Sequence, residues 1–202
     1  MTLWLAAQPL VLASRSAARR TMLKAAGIPI EPHPADLDER ALAARAVSQQ
    51  PAGVAALLAK EKAAAVGRAH PGRLVLGADQ TLALGGDHFT KPADRNAAKA
   101  QLRALSGKSH ELHSAVAFVQ DGAMLFEHVD TARLTMRTLS ERFIDLYLDA
   151  VGEAATTSVG AYQLEGLGSQ LFERVDGDYF TILGLPLVPA LDFLRRRGCL
   201  AS

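Results

Sequence analysis

The chain is short of cysteine, aromatic residues, net charge and long apolar runs, and each shortage removes a class of protein. Its only cysteine is Cys199, so no intrachain disulfide framework or thiolate metal cluster can form, which points to a reducing cytoplasm. Lys and Arg number 22 against 21 Asp and Glu. The resulting charge of +1 gives no global field for a nucleic-acid backbone, and 5% aromatics leave few stacking surfaces, so no nucleic-acid partner is expected. No apolar run reaches the roughly 20 residues of a membrane helix, so no membrane partner is expected either. The apolar start, Met1 to Ala13, lacks a basic leader and is broken by Gln8-Pro9; it reads as the approach to a strand rather than an export signal.

What is present suits one folded domain over 1–202, with 49% hydrophobic and 21% charged residues. Leu10 to Ala13 reads as a buried strand, and Ala17 to Ala26 as a helix stopped by Gly27. Asp38 to Ala69 is Ala-rich and helical, with a break at Ser48-Gln49-Gln50-Pro51. Leu74 to Ala78 is a second buried strand, continued by Thr81 to Leu84 and turned by Gly85-Gly86 toward a segment near His88-Phe89-Thr90. Lys91-Pro92 opens a helix capped by Asp94 and stopped by Ser106-Gly107. Asp121-Gly122, between His110–Gln120 and Ala123–Leu134, is a hairpin signal. Ser140 to Val151 reads as a capped helix with Phe143, Leu146, Tyr147 and Ala150 on one face. A glycine-rich loop, Gly160 to Gly168, precedes an expected strand pair, Gln170–Val175 and Tyr179–Leu183, about Asp176-Gly177-Asp178. Pro186 to Arg197 closes the chain as a helix with Arg195, Arg196 and Arg197 at its negative end. The fold class expected is α/β, with a mixed, partly antiparallel sheet flanked by helices.

Ser14-Arg15-Ser16-Ala17-Ala18-Arg19-Arg20 joins a strand to a helix start, where hydroxyls, backbone N–H groups and guanidinium groups suit phosphate. Asp79 follows an apolar strand, where open α/β sheets place ligands, and is a candidate general base or metal ligand. Lys62 and Lys91 are candidate cations. His110 and His113 do not make a metal pair, because an offset of three puts them on opposite faces of a strand. Phe172, Tyr179 and Phe180 could stack on a base, but aromatics in strands are more often core residues.

Together these segments resemble, from Leu10 to Gly198, the Maf nucleotide pyrophosphatases. Ser14-x-Ser16-x-x-Arg19-Arg20-x-x-Leu23 resembles the family's opening signature, followed by Asp38-Glu39, Leu58-Ala59-x-x-Lys62-Ala63 and Gly77-Ala78-Asp79. Lys91-Pro92, Leu105-Ser106-Gly107-Lys108-x-His110 and Gly184-Leu185-Pro186-Leu187 complete the set. The resemblance implies two lobes around a nucleotide cleft, often in a homodimer. It also implies cleavage of a nucleoside triphosphate to the monophosphate and pyrophosphate. Asp79 would accept the proton of the attacking water, and Ser14, Arg19, Lys62 and Lys91 would bind substrate. Glu39 and Asp79 would hold a divalent metal, Mg2+ or Mn2+, with ligand and base not separable at this level.

Three positions bear on the base accepted. The uridine and thymidine branch of the family usually has an arginine where this chain has Ala18, a threonine where it has Gln80 and a glutamine where it has Glu165. Gln80 and Glu165, with Gly166-Leu167-Gly168-x-x-Leu171-Phe172-Glu173-Arg174, resemble the 7-methyl-GTP branch, and a carboxylate at Glu165 suits the two N–H donors of a cationic 7-methylguanine. Gly160-Ala161-Tyr162 resembles the other branch, so a dTTP/UTP-preferring pyrophosphatase is the alternative. A non-catalytic nucleotide-binding regulator of cell division is the reading from another class, separated from an enzyme by whether Asp79→Asn abolishes turnover.

Overall fold

Short apolar stretches meet strong local stop signals throughout this chain, and the resulting elements alternate between strand and helix. The computed structural model describes residues 2–45 and 50–202. Strand β1 (Leu10–Ala13) is wholly buried and leads into α1 (Ala17–Ala25), where the Ser16 side chain caps the Arg19 amide and Gly27, at φ +75°, ends the turn. The chain then returns as β2 (Ile30–Pro32), a short parallel partner of β1 that the apolar pattern did not announce. Helices α2 (Glu39–Arg45) and α3 (Pro51–Gly67) fill the Ala-rich region. Of the expected break, Ser48 and Gln49 lie outside the described residues, and Pro51 stands at the start of α3, where its missing N–H costs nothing.

Strand β3 (Val75–Leu84) pairs in parallel with β1, Val11 opposite Val75 and Ala13 opposite Gly77. It turns at Gly85-Gly86 into the antiparallel β4 (Asp87–Phe89). Helix α4 (Arg95–Leu105) is capped by Asp94, which accepts from the Ala97 amide at 2.8 Å. Strands β5 (Ser109–Gln120) and β6 (Ala123–Met136) flank Asp121 and Gly122, both at positive φ, which is the backbone a two-residue hairpin requires. After α5 (Glu141–Val151) and a run of 3-10 turns over Gly152–Thr156, Val159–Ala161 and Leu167–Leu171, β7 (Phe172–Asp176) pairs antiparallel with β6. Among the described residues the strands form a seven-stranded mixed sheet, ordered β2-β1-β3-β5-β6-β7 with β4 beside β3.

Two expectations are corrected. Tyr179–Leu183 is not a strand: Asp178 accepts from the Thr181 amide at 2.9 Å and starts the short helix α6 (Tyr179–Ile182), so a local cap overrides the β preference of Tyr, Phe, Thr and Ile. On α5 the buried residues are Ile144, Tyr147 and Leu148, while Leu146 is 57% exposed and Ala150 is exposed; the face is rotated from the one expected.

The chain divides into two compact units. The first comprises 1–80, 114–130 and 184–202, with a core in which Val11, Ala13, Val75, Ala115 and Val119 meet the alanine stripe Ala55, Ala59 and Ala63 of α3. Helix α7 (Leu187–Arg196) belongs to this unit and stacks Phe193 on Phe118 and Phe126, ring centroids 4.6 and 5.0 Å apart. The second comprises 81–113 and 131–183, around Leu102, Leu112, Leu134, Met136, Ile144 and Leu171.

Candidate active site

Gly77 and Asp79 are two apart on β3 and so share a face, and this face is turned toward α3. A Cβ at Gly77 would stand 2.1 Å from the Ala59 carbonyl oxygen and 2.7 Å from the Ala63 nitrogen. Only hydrogen at Gly77, against alanines on α3, lets helix and strand approach this closely. One helical turn from Ala59, Lys62 comes level with Asp79, and its Nζ donates to Asp79 Oδ1 at 2.6 Å. The same ammonium lies 3.0 Å from Glu39 Oε1 at the start of α2. Lys62 and Asp79 are buried, at 8 and 7% exposure, whereas the Glu39 side chain is half exposed.

A second cation completes the group. The Arg19 guanidinium, 8% exposed, donates from Nε to the Gly184 carbonyl at 2.7 Å and from Nη1 to the Ala78 carbonyl at 2.8 Å and Ser14 Oγ at 3.2 Å. Ser14 also accepts from the Ser16 amide at 3.2 Å, so the strand-to-helix turn is cross-linked through one hydroxyl. Gln80, next to Asp79, donates from its carboxamide to Ser114 Oγ on β5 at 3.0 Å.

Burial dominates the electrostatics. It raises the Asp79 carboxyl above the usual aspartate value, with Glu39 adding to the rise and the positive charges of Lys62 and Arg19 opposing it. It also lowers the Arg19 guanidinium, against the pull of Asp79 and Glu39. A carboxyl whose hold on a proton is strengthened by burial, beside two cations, is suited both to take a proton and to sit beside phosphate charge.

The structure thus gathers Ser14, Arg19, Glu39, Lys62, Asp79 and Gln80 within the first unit. Ala18 is half-buried on α1 in the same unit. Lys91, exposed before the buried Pro92, and Glu165, exposed in the turn at 164–166, belong to the second. Among the described residues no three His, Cys, Asp or Glu side chains cluster as a metal cage. His110 instead bonds the Tyr162 hydroxyl through Nε2 at 2.7 Å, and His113 bonds Thr131 through Nδ1 at 2.9 Å. Phe172 packs edge-on to Tyr162 at 4.8 Å. Reading the sequence missed Ser114 and the carbonyl of Gly184. Ser114 stands between the polar and the apolar half of β5 with nothing in its neighbours to single it out, and a backbone oxygen leaves no mark in a sequence.

The model of the family described as Maf-like protein matches residues 9–197. A nucleoside triphosphate pyrophosphatase of Rhodopseudomonas palustris is 62% identical over 201 residues, covering 100% of both chains. Proteins of the same name from Bradyrhizobium diazoefficiens and Paramagnetospirillum magneticum are 56 and 55% identical, over 100 and 93% of this chain and 100 and 98% of theirs. A crystal structure of a nucleoside-triphosphatase / dITP/XTP pyrophosphatase from Mycobacterium abscessus aligns with 73% of this chain and 96% of its own at 17% identity and a TM-score of 0.39, too distant to bear on function. Matched by the family model from just before β1 to the end of α7, and by these relatives over nearly its whole length, the chain belongs to the Maf-like protein family.

Proposed function

We propose that this protein is a nucleoside triphosphate pyrophosphatase, a hydrolase of the α–β phosphoanhydride bond, and that Asp79 is its general base. The observation that carries the reading is the buried carboxyl of Asp79, held at 2.6 Å from Lys62 with its pKa raised by burial, in a chain whose relatives at 55–62% identity bear that name. Water attacks the α-phosphorus and gives its proton to Asp79. A phosphorus–oxygen bond to that water forms as the bond to the β-phosphate oxygen breaks, and pyrophosphate leaves with the electron pair. Lys62 and Lys91 supply the cations for the phosphates, and Arg19 adds positive charge close to Asp79.

A divalent cation fits this donor set. Asp79 and Glu39 both contact the Lys62 ammonium, so two hard oxygen donors lie side by side and would hold a cation once that ammonium turns to the phosphates. That suits Mg2+ or Mn2+, which take one or two carboxylates and complete their shell from water and substrate phosphates. Held by Asp79 and Glu39, such an ion would supply charge neutralisation on the phosphoryl oxygens.

For the substrate we favour 7-methyl-GTP. Gln80 in place of threonine, Glu165 in place of glutamine and Ala18 in place of arginine support it, since together they add a carboxylate and remove a cation. We assign the activity to the cytoplasm, which the single cysteine supports; separately, no helix among the described residues is long and apolar enough to cross a membrane. A homodimer is the assembly the family resemblance favours.

The test is pyrophosphate release by the purified protein with Mg2+ or Mn2+ across 7-methyl-GTP, dTTP, UTP, CTP, ITP and the common triphosphates, with Asp79→Asn as control. Selective, Asp79-dependent cleavage of 7-methyl-GTP is expected. Preference for dTTP or UTP would overturn the substrate and keep the chemistry; no Asp79-dependent release from any of them would overturn the enzyme.

A further inference from the structure

We propose that Arg19 is a positioning residue that fixes the Ala78–Asp79 peptide against the Gly184 turn, rather than a ligand of the triphosphate. The inference rests on the pyrophosphatase reading and redistributes the roles within it. A guanidinium has five N–H donors in one rigid plane. Three of those of Arg19 are committed to the protein itself: Nε to the Gly184 carbonyl, and Nη1 to the Ala78 carbonyl and Ser14 Oγ. Two carbonyls 59 and 165 residues away in sequence are thereby held to one plane.

The Ala78 carbonyl shares its peptide group with the Asp79 nitrogen, so a bond that stops that peptide from rotating also fixes the direction in which Asp79 leaves the strand. The other anchor is equally specific. Gly184 has φ +97°, a backbone that side chains disfavour, and a Cβ there would meet Arg19 Nη2 at 3.4 Å and Gln80 Oε1 at 3.7 Å. A Cβ at those distances would be in ordinary contact, so it is the backbone angle that calls for glycine here and turns its carbonyl onto Arg19.

Lys62 differs in kind. Its partners are two carboxylates, and an ammonium on a flexible stem can trade one oxygen for another. Arg19 has less freedom: swinging the whole guanidinium to a phosphate would strand two main-chain carbonyls, and only its two Nη2 N–H groups lie outside these bonds. Charge from Arg19 still reaches Asp79, but contact with substrate is left to the lysines.

The experiment measures kcat and KM for pyrophosphate release, together with the Kd of inorganic pyrophosphate, for the wild type, Arg19→Ala, Arg19→Lys and Gly184→Ala. A loss of position of about 1 Å is enough to cost about 10²-fold in rate. Arg19→Ala and Arg19→Lys are expected to lose roughly that much kcat, with KM and pyrophosphate Kd changed less than about threefold. Lysine fails because one ammonium cannot bridge both carbonyls. Guanidinium ion at millimolar concentration is expected to restore part of the kcat of Arg19→Ala. Gly184→Ala keeps the guanidinium and displaces its anchor, and is expected to show the same kcat-only defect, which keeps the idea testable if the Arg19 variants fold poorly. A rise in KM and pyrophosphate Kd with kcat intact would overturn the positioning role while leaving the pyrophosphatase standing. A wild type without Asp79-dependent release would overturn both.

Discussion

Adding one methyl group at Gly77 separates the chemistry of the site from its packing. In Gly77→Ala the new Cβ would stand 2.1 Å from the Ala59 carbonyl oxygen, about 1.3 Å short of the 3.4 Å at which ordinary contact begins. The obstructing atoms are helix backbone and the Ala63 Cβ, at 2.9 Å, so no side-chain rotation relieves the overlap. Helix α3 must move off the strand by about that distance, carrying Lys62 away from its 2.6 Å bond to Asp79. Overpacking costs about 1–3 kcal/mol, and each kcal/mol lowers the melting temperature of a chain of this size by about 2–4 °C. The displacement of Lys62 costs about 10²-fold in turnover as well. Calorimetric melting and pyrophosphate release measured on one preparation check both halves. Melting within about 1 °C of wild type with turnover intact would refute the claim that Gly77 sets the distance between α3 and β3.

Removing Lys62 as Lys62→Met leaves Asp79 buried beside one cation fewer and should destabilise by about 3–5 kcal/mol in urea unfolding, most of it recovered in the double variant Lys62→Met/Asp79→Leu. A double variant no more stable than the single would show that the loss is packing and not unpaired charge. Burial lowers the His110 imidazole from 6.5 to about 4. The unfolded chain therefore binds a proton that the folded chain refuses, so stability is complete above pH 6.5 and falls by about 3 kcal/mol as the pH drops to about 4. Urea midpoints of His110→Gln should lack that part of the slope, and an unchanged slope would exonerate His110. Glu165→Gln should reduce kcat/KM for 7-methyl-GTP relative to dTTP and UTP, by about tenfold or more if a charged pair is lost. Unchanged relative rates in that competition would remove Glu165 from base recognition.

The hairpin at Asp121-Gly122 and the caps at Ser16, Asp94 and Ser140 were legible in the sequence because each depends on residues within a few positions of one another. Asp79 was legible as a carboxylate beside an apolar stretch, but its place was not: β3 does not end there and runs on to Leu84. What escaped depends on distant partners or on competition between signals. β2 is three residues long with half-exposed side chains, and its place beside β1 owes nothing to hydrophobic pattern. At Tyr179–Ile182 the residue types favoured a strand, and one aspartate cap decided for a helix. On α5 a helical stripe was readable but its angle was not, because neighbours selected Ile144 and Leu148 over Leu146. Ser14 and Lys62 were named as substrate ligands; their bonds to Arg19 and to Asp79 are what the structure adds.

The first unit takes its last piece from 184–202, and this has a consequence for the order of events during synthesis. The carbonyl that holds Arg19 belongs to a residue 165 positions later. At about 5–20 residues per second, Gly184 emerges roughly 10–30 s after Arg19. For that interval the nascent chain carries Ser14, Arg19, Lys62 and Asp79 without the closing turn and without α7 to stack on Phe118 and Phe126. The last residue of the second unit, Leu183, is synthesised before the closing segment of the first unit begins. A chain stalled before Gly184 therefore holds Arg19 without its 2.7 Å carbonyl partner, and it is the last turn and helix that complete the first unit.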